Sequence, residues 1–113
     1  MEPMVDVTVT AADPDWLAVL ARRLIDRRLI ACGNIVTGVR SIYIWNDELQ
    51  DASEVLMIMH TRASLVQQVI TAVEEVHPYE VPQVVALPAL AASAAYHRWV
   101  LDSTTDSDSD RSG

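Results

Sequence analysis

Apolar and polar residues alternate near the start of the chain, where Val5, Val7, Val9 and Ala11 are interleaved with Asp6, Thr8 and Thr10. A two-residue period puts one set on each side of an extended backbone, so this segment is predicted to be a strand with one buried face. Asp13 and Pro14 change the rhythm. An aspartate accepts from the free amides of a first helical turn, and proline at the first helical position has no amide to leave unsatisfied. Leu17, Leu20, Ala21, Leu24 and Ile25 then recur at helical spacing, which predicts a helix over about 14–30 with that stripe buried.

From Ala31 to Trp45 the run ACGNIVTGVRSIYIW is rich in β-branched and aromatic residues and reads as one long strand, with Gly33 and Gly38 marking bulges or bends. Asn46 and Asp47 are turn formers, and SEVLMIMHT over 53–61 is the returning strand of a hairpin. Thr61 or Ser64 is placed to cap a second helix, whose stripe is Leu65, Val66, Val69, Ile70 and Val73 and which ends near Val76. A fourth strand is predicted over 83–87 and a short third helix over 91–101.

The order β-α-β-β-α-β with one more helix is that of an α+β, ferredoxin-like sandwich, in which two helices cover one face of a four-stranded antiparallel sheet. That leaves the other face bare, yet the strands are apolar on both sides. Leu56 and Ile58 oppose Val55, Met57 and Met59, and Ile42 and Ile44 oppose Tyr43 and Trp45. A single copy would expose a large apolar patch, so the expectation is a homo-oligomer whose subunits cover one another.

Half of the 113 residues are apolar, enough to give one domain a core without disulfides or a structural metal. Cys32 is the only cysteine, which suits a reducing, cytoplasmic location. The opening MEPMVDV has acids where a secretory signal has basic residues, and export is not expected. The longest apolar stretch, from Val84 to Ala92, is about half of the ~20 residues a membrane-spanning helix needs. A net charge of −8 opposes nucleic-acid binding. Arg22, Arg23, Arg27 and Arg28 cluster on the first helix beside Asp26 and read first as a solvated face, with subunit or RNA contact as the alternatives. After Leu101 no apolar residue occurs, so residues 1–101 are expected to form the domain and 102–113 a disordered acidic tail.

Several segments together resemble the CutA family of divalent-cation tolerance proteins, over residues 5–101. They are TAADP at the end of the first strand, LIACGNI over 29–35, SIYIW over 41–45, Glu54, HPYEVP over 77–82, and Tyr96 with Trp99. The resemblance implies a ferredoxin-like protomer assembled as a homotrimer, no agreed enzymatic reaction, and a link to tolerance of copper and other divalent ions. Three positions depart from the family pattern: His60 stands where lysine is usual, Gln83 where glutamate is usual, and Val9 where some members have a cysteine proposed to bind copper.

Candidate chemistry falls into two groups. No pair of ligands occurs at C-x-x-C or H-x-x-x-H spacing. His60 and Glu54 share a strand face but lie roughly 20 Å apart at the strand rise. A metal ion would therefore need ligands brought together by the fold or by several subunits, from His77, Cys32, His60, Glu80 and Glu54, and binding is expected to centre on His77. Copper(I) would favour Cys32 with a histidine. The second group is aromatic: Tyr43, Trp45, Tyr79, Tyr96 and Trp99, with Glu54, are expected either to converge on a small-ligand cleft or to pack between subunits. HPYEVP is at minimum a stiff corner, since each proline holds the preceding residue out of helical geometry. No nucleophile stands beside an evident base and no glycine loop could cradle a phosphate, so enzymatic activity is not expected. The alternatives left open are a sensor of a small organic ligand or anion at clefts between subunits, and a scaffold.

Overall fold

In the computed structural model, which describes residues 1–105, the first strand, β1, runs from Met4 to Ala11. Val7 and Val9 have no exposure, as the alternation requires. Helix α1, Pro14–Asp26, is opened by Asp13, whose Oδ1 accepts from the Asp15 amide at 2.9 Å. It is four residues shorter than its apolar rhythm predicts. Arg28 takes a positive φ of 60°, the Arg28 amide bonds to the Ile25 carbonyl and the Leu29 amide to the Leu24 carbonyl. These are the two bonds of a Schellman closure. Such closures usually place glycine at the left-handed position, and the arginine there hid the helix end from sequence reasoning. Leu29 and Ile30 are buried all the same, through the loop rather than through the helix.

Strands β2, Cys32–Trp45, and β3, Glu48–Arg62, form a long antiparallel ribbon. Asn46 and Asp47 both have positive φ, 50° and 64°. That is the two-residue turn whose twist matches the flanking strands, and these two residue types tolerate it best after glycine. The pairing steps out of register between Val36 and Val39, at Thr37 and Gly38, where Gly38 has φ 80°. Gly33 has a different reason to be glycine: a Cβ there would lie 3.1 Å from Met57 Sδ and 3.3 Å from Ala21 Cβ. Its bare backbone lets α1 approach the sheet.

A single 3-10 turn, Ala63–Leu65, leads into α2, Val66–Val76. Neither Thr61 nor Ser64 caps it through its side chain. The Thr61 hydroxyl donates to the Leu29 carbonyl, and the Ser64 amide is taken by the Glu2 carboxylate at 2.7 Å. Strand β4, Val84–Pro88, and helix α3, Ala94–Ser103, complete the chain. The sheet order is β2-β3-β1-β4, with every neighbouring pair antiparallel. This is the expected ferredoxin-like sandwich: α1 and α2 cover the face that carries Val7, Val9, Met57 and Met59, all fully buried with Leu17, Val69 and Val73.

The opposite face is not wholly bare, because α3 crosses one end of it. Val100 is fully buried there, and Arg62 reaches from β3 to Glu2, to the Leu101 carbonyl and to both Thr104 oxygens. The expected tail therefore starts too early. Asp102 and Ser103 belong to α3, and Thr104 is buried because its hydroxyl accepts from Arg62 while donating back to the helix. Residues 106–113 of that tail lie outside the described residues.

Candidate functional site

Past the bulge, Tyr43 and Trp45 project from the same side of the ribbon as Glu54, a face continued on β1 by Thr10. The segment between α2 and β4 folds against this face. Together Thr10, Tyr43, Trp45, Glu54 and residues 79–83 enclose an open cleft of about 520 Å³. Its carboxylates are Glu54 and Glu80, three aromatic side chains stand in its walls, and among the described residues no basic side chain lines it. The Tyr79 hydroxyl donates to Glu54 Oε2 at 3.3 Å. Burial, then the charge of Glu54 and the hydrogen bond to it, push the Tyr79 phenol above its ordinary pKa. It stays a neutral donor at physiological pH.

His77 holds this wall in place. Its Nδ1 accepts from the Tyr79 amide at 3.1 Å, so Nε2 carries the proton, which it donates to the Thr10 carbonyl at 2.7 Å. The ring lies edge-on to Trp16 at 5.1 Å and to Tyr79 at 4.6 Å, and the residue is only 8% exposed. With both nitrogens engaged, His77 has no lone pair to offer an ion without dismantling the corner. In this geometry the ring fastens α2, the end of β1 and Tyr79 to one another.

The remaining candidates gather elsewhere. Along β3, Glu54 and His60 stand six residues apart, and His60 lies at the end covered by α3. Its Nδ1 meets Asp6 Oδ1 at 2.7 Å and its Nε2 meets Asn34 Oδ1 at 2.8 Å, while Cys32 is its cross-strand neighbour. Tyr96 sits edge-on to His60 at 5.9 Å and packs on Trp99 at 5.6 Å. Burial, followed by the nearby Cys32 and Asp6, raises the Tyr96 phenol. The five aromatics thus divide: Tyr43, Trp45 and Tyr79 line the cleft, whereas Tyr96 and Trp99 serve the docking of α3. The proposed metal pool divides the same way, with Glu80 and Glu54 at one end of the sheet and Cys32 and His60 at the other. Among the described residues no three of His, Cys, Asp and Glu converge as an ion-binding group.

Sequence reasoning missed Thr10, Val81 and Pro82 in the cleft, Trp16 against His77, and Asp6 and Asn34 around His60. Only the cross-strand register, Asp6 opposite His60 and His60 opposite Cys32, joins the last group. No local spacing signals it.

Residues 5–103 match the family model described as CutA1 divalent ion tolerance protein. The chain is 35% identical over 98 residues to the divalent-cation tolerance protein CutA of Thermus thermophilus, covering 87% of this chain and 95% of that protein. It is 38% identical over 102 residues to the chloroplastic protein CutA of Arabidopsis thaliana, covering 90% of this chain and 56% of that one. The chain spans about half the length of such eukaryotic relatives, 45% in the case of the human protein CutA. Among solved structures, CutA1 from Oryza sativa superposes with a TM-score of 0.89 at 37% identity, covering 94% of this chain and 97% of that one.

Proposed function

The chain belongs to the CutA1 divalent ion tolerance family, and on that premise we propose a non-enzymatic, homotrimeric divalent-metal tolerance protein that holds a cation in the cleft beneath Tyr43, Trp45 and Tyr79. The observation that carries this reading is the chemistry of the lining: two carboxylates and several aromatic faces, with no lysine, arginine or histidine among them. Carboxylate oxygens attract hard cations, and aromatic faces attract cations of any kind. The same lining repels anions, which weakens the anion-sensor alternative and leaves a small organic cation as the second reading. Oxygen donors suit hard divalent ions better than copper, whose preferred thiol and imidazole donors are Cys32 and His60 at the far end of the sheet. Copper handling is therefore the finer part of the proposal and rests on that second locus.

The trimer is supported by apolar residues left uncovered on the ribbon, Ile42 at 62%, Ile44 at 71% and Leu49 at 78% exposure. A neighbouring copy would shield them. No helix among the described residues is long and apolar enough to cross a membrane. The free thiol of Cys32 favours a reducing, cytoplasmic location. Calorimetric titration of magnesium, manganese, zinc and copper into the wild type and into Glu54→Gln and Glu80→Gln variants tests the cleft. Loss of binding for the harder ions is expected, and unchanged affinity and stoichiometry would remove the cleft from the metal reading. A thermal-shift screen with quaternary ammonium compounds tests the second reading, since a ligand of the native state raises the melting temperature by mass action.

A further inference from the structure

Two side chains that line the cleft are almost wholly buried and still have an oxygen to spare: Glu54 is 9% and Thr10 6% exposed. The Glu54 carboxylate receives one hydrogen bond, from the Tyr79 hydroxyl to Oε2, and takes part in none of the ion pairs among the described residues. Its Oε1 and the Thr10 hydroxyl have no partner there, since His77 engages only the Thr10 carbonyl. Among the described residues no buried side-chain oxygen is both sealed from solvent and unpartnered, so both atoms open onto the space the two residues line. A carboxylate largely withdrawn from water and left without a counter-charge is costly, and a cationic guest relieves that cost.

The geometry discriminates between kinds of cation. A hard divalent ion seeks about six or more oxygens, and the cleft's volume of about 520 Å³ is that of a small-molecule pocket rather than of one ion. A guanidinium matches a carboxylate best when both oxygens are free, but Tyr79 already holds Oε2. A quaternary ammonium has no N–H to give. A primary ammonium is a compact donor of three N–H groups, able to serve acceptors on different strands, and here Glu54 stands on β3 and Thr10 on β1. Tyr43, Trp45 and Tyr79 line the same space and are exposed, so their faces are open to an apolar arm and attract the positive charge beside it.

We propose that the cleft binds a primary ammonium compound with an apolar arm, its N–H groups on Glu54 Oε1 and the Thr10 hydroxyl and its arm against Tyr43, Trp45 and Tyr79. This rests on the cation reading of the cleft and narrows it to guests that donate hydrogen bonds. The Tyr79 hydroxyl, by holding Oε2, leaves one free carboxylate oxygen and so fixes where the ammonium sits.

The test titrates the full chain calorimetrically with phenethylammonium, its trimethylated quaternary analogue and neutral phenethyl alcohol, which share one arm and differ in charge and N–H groups. The primary ammonium is expected to bind at least about tenfold tighter than the quaternary compound, the worth of a charge-assisted hydrogen bond, with the alcohol weakest. Glu54→Gln, which keeps the shape of the side chain, should cost the ammonium about tenfold and leave the alcohol unchanged. In the wild type the Trp45 indole N–H signal should move during the ammonium titration, a readout that needs no variant. Equal affinity for the primary and quaternary compounds overturns the proposal and leaves a cation in the cleft. Glu54-dependent binding of magnesium or manganese without any of the amine overturns it and keeps the metal reading. Amine binding that leaves the Trp45 signal unmoved places the guest elsewhere and also overturns it. If no cation binds in a Glu54-dependent way, the cation reading of the cleft falls as well.

Discussion

The two ends of the β2–β3 ribbon differ in what covers them. Near the helices, Met57 and Met59 are fully buried against Leu17, Val69 and Val73, and the chain supplies every neighbour they need. Beyond the bulge, Ile42, Ile44 and Leu49 have the same alternation and chemistry but face solvent. Alternation tells a strand which residues share a side; it does not say which molecule covers that side. The proximal half is a core and the distal half is an exposed surface, and the cleft lies on the opposite face of the ribbon.

The largest expected difference between these halves is in assembly. Ile42→Glu with Ile44→Glu should reduce the sedimenting mass from that of a trimer to that of the 12.5 kDa chain, with the circular dichroism of the protomer retained. A persisting trimer would show that the distal ribbon is not the contact. Leu17→Ala, in the proximal core, should do the reverse, costing about 2–5 kcal/mol in denaturant unfolding because the cavity cannot be filled. His77→Ala tests the cleft. It leaves the Thr10 carbonyl and the Tyr79 amide without partners, and a loss of about 1–3 kcal/mol is expected with a loosened cleft wall.

Smaller effects sharpen the contrast. Glu2→Gln should cost about 1 kcal/mol at neutral pH, the size of a lost helix cap. Burial raises the Glu2 carboxyl, but the hydrogen bonds from Ser64 and the charge of Arg62 outweigh it, so its pKa is lowered on folding. A depressed acid contributes stability above its unfolded pKa and loses it as pH falls through the folded value. The gap between wild type and Glu2→Gln should therefore close in acid, and a constant gap would assign the effect to packing alone. Of similar size is Asn46→Ala at the ribbon tip, expected to lose about 1 kcal/mol at its positive φ in the same denaturant unfolding, while Asn46→Gly is tolerated.

Much of the fold was legible because it rests on short-range patterns. The capping Asp13, the period of Leu17, Leu20 and Leu24, and the Asn46–Asp47 turn each act within a few residues. The overlong α1 shows the limit: without glycine at position 28, nothing local announces the turn. HPYEVP was readable as a corner, since proline restricts its predecessor whatever surrounds it. What His77 does there was not, because Thr10 lies 67 positions away.

By itself, the order of apolar and polar residues determined the strands, the helices and the face each would bury, since backbone periodicity and side-chain hydration are local properties. Only the tertiary structure decided the partners. It set Tyr96, with Trp99 packed on it, at the His60 end of the sheet rather than at the cleft, occupied both nitrogens of His77, and set Asp6 beside His60. Those outcomes depend on register and on which elements pack together, and a one-residue slip in pairing would reassign every one of them.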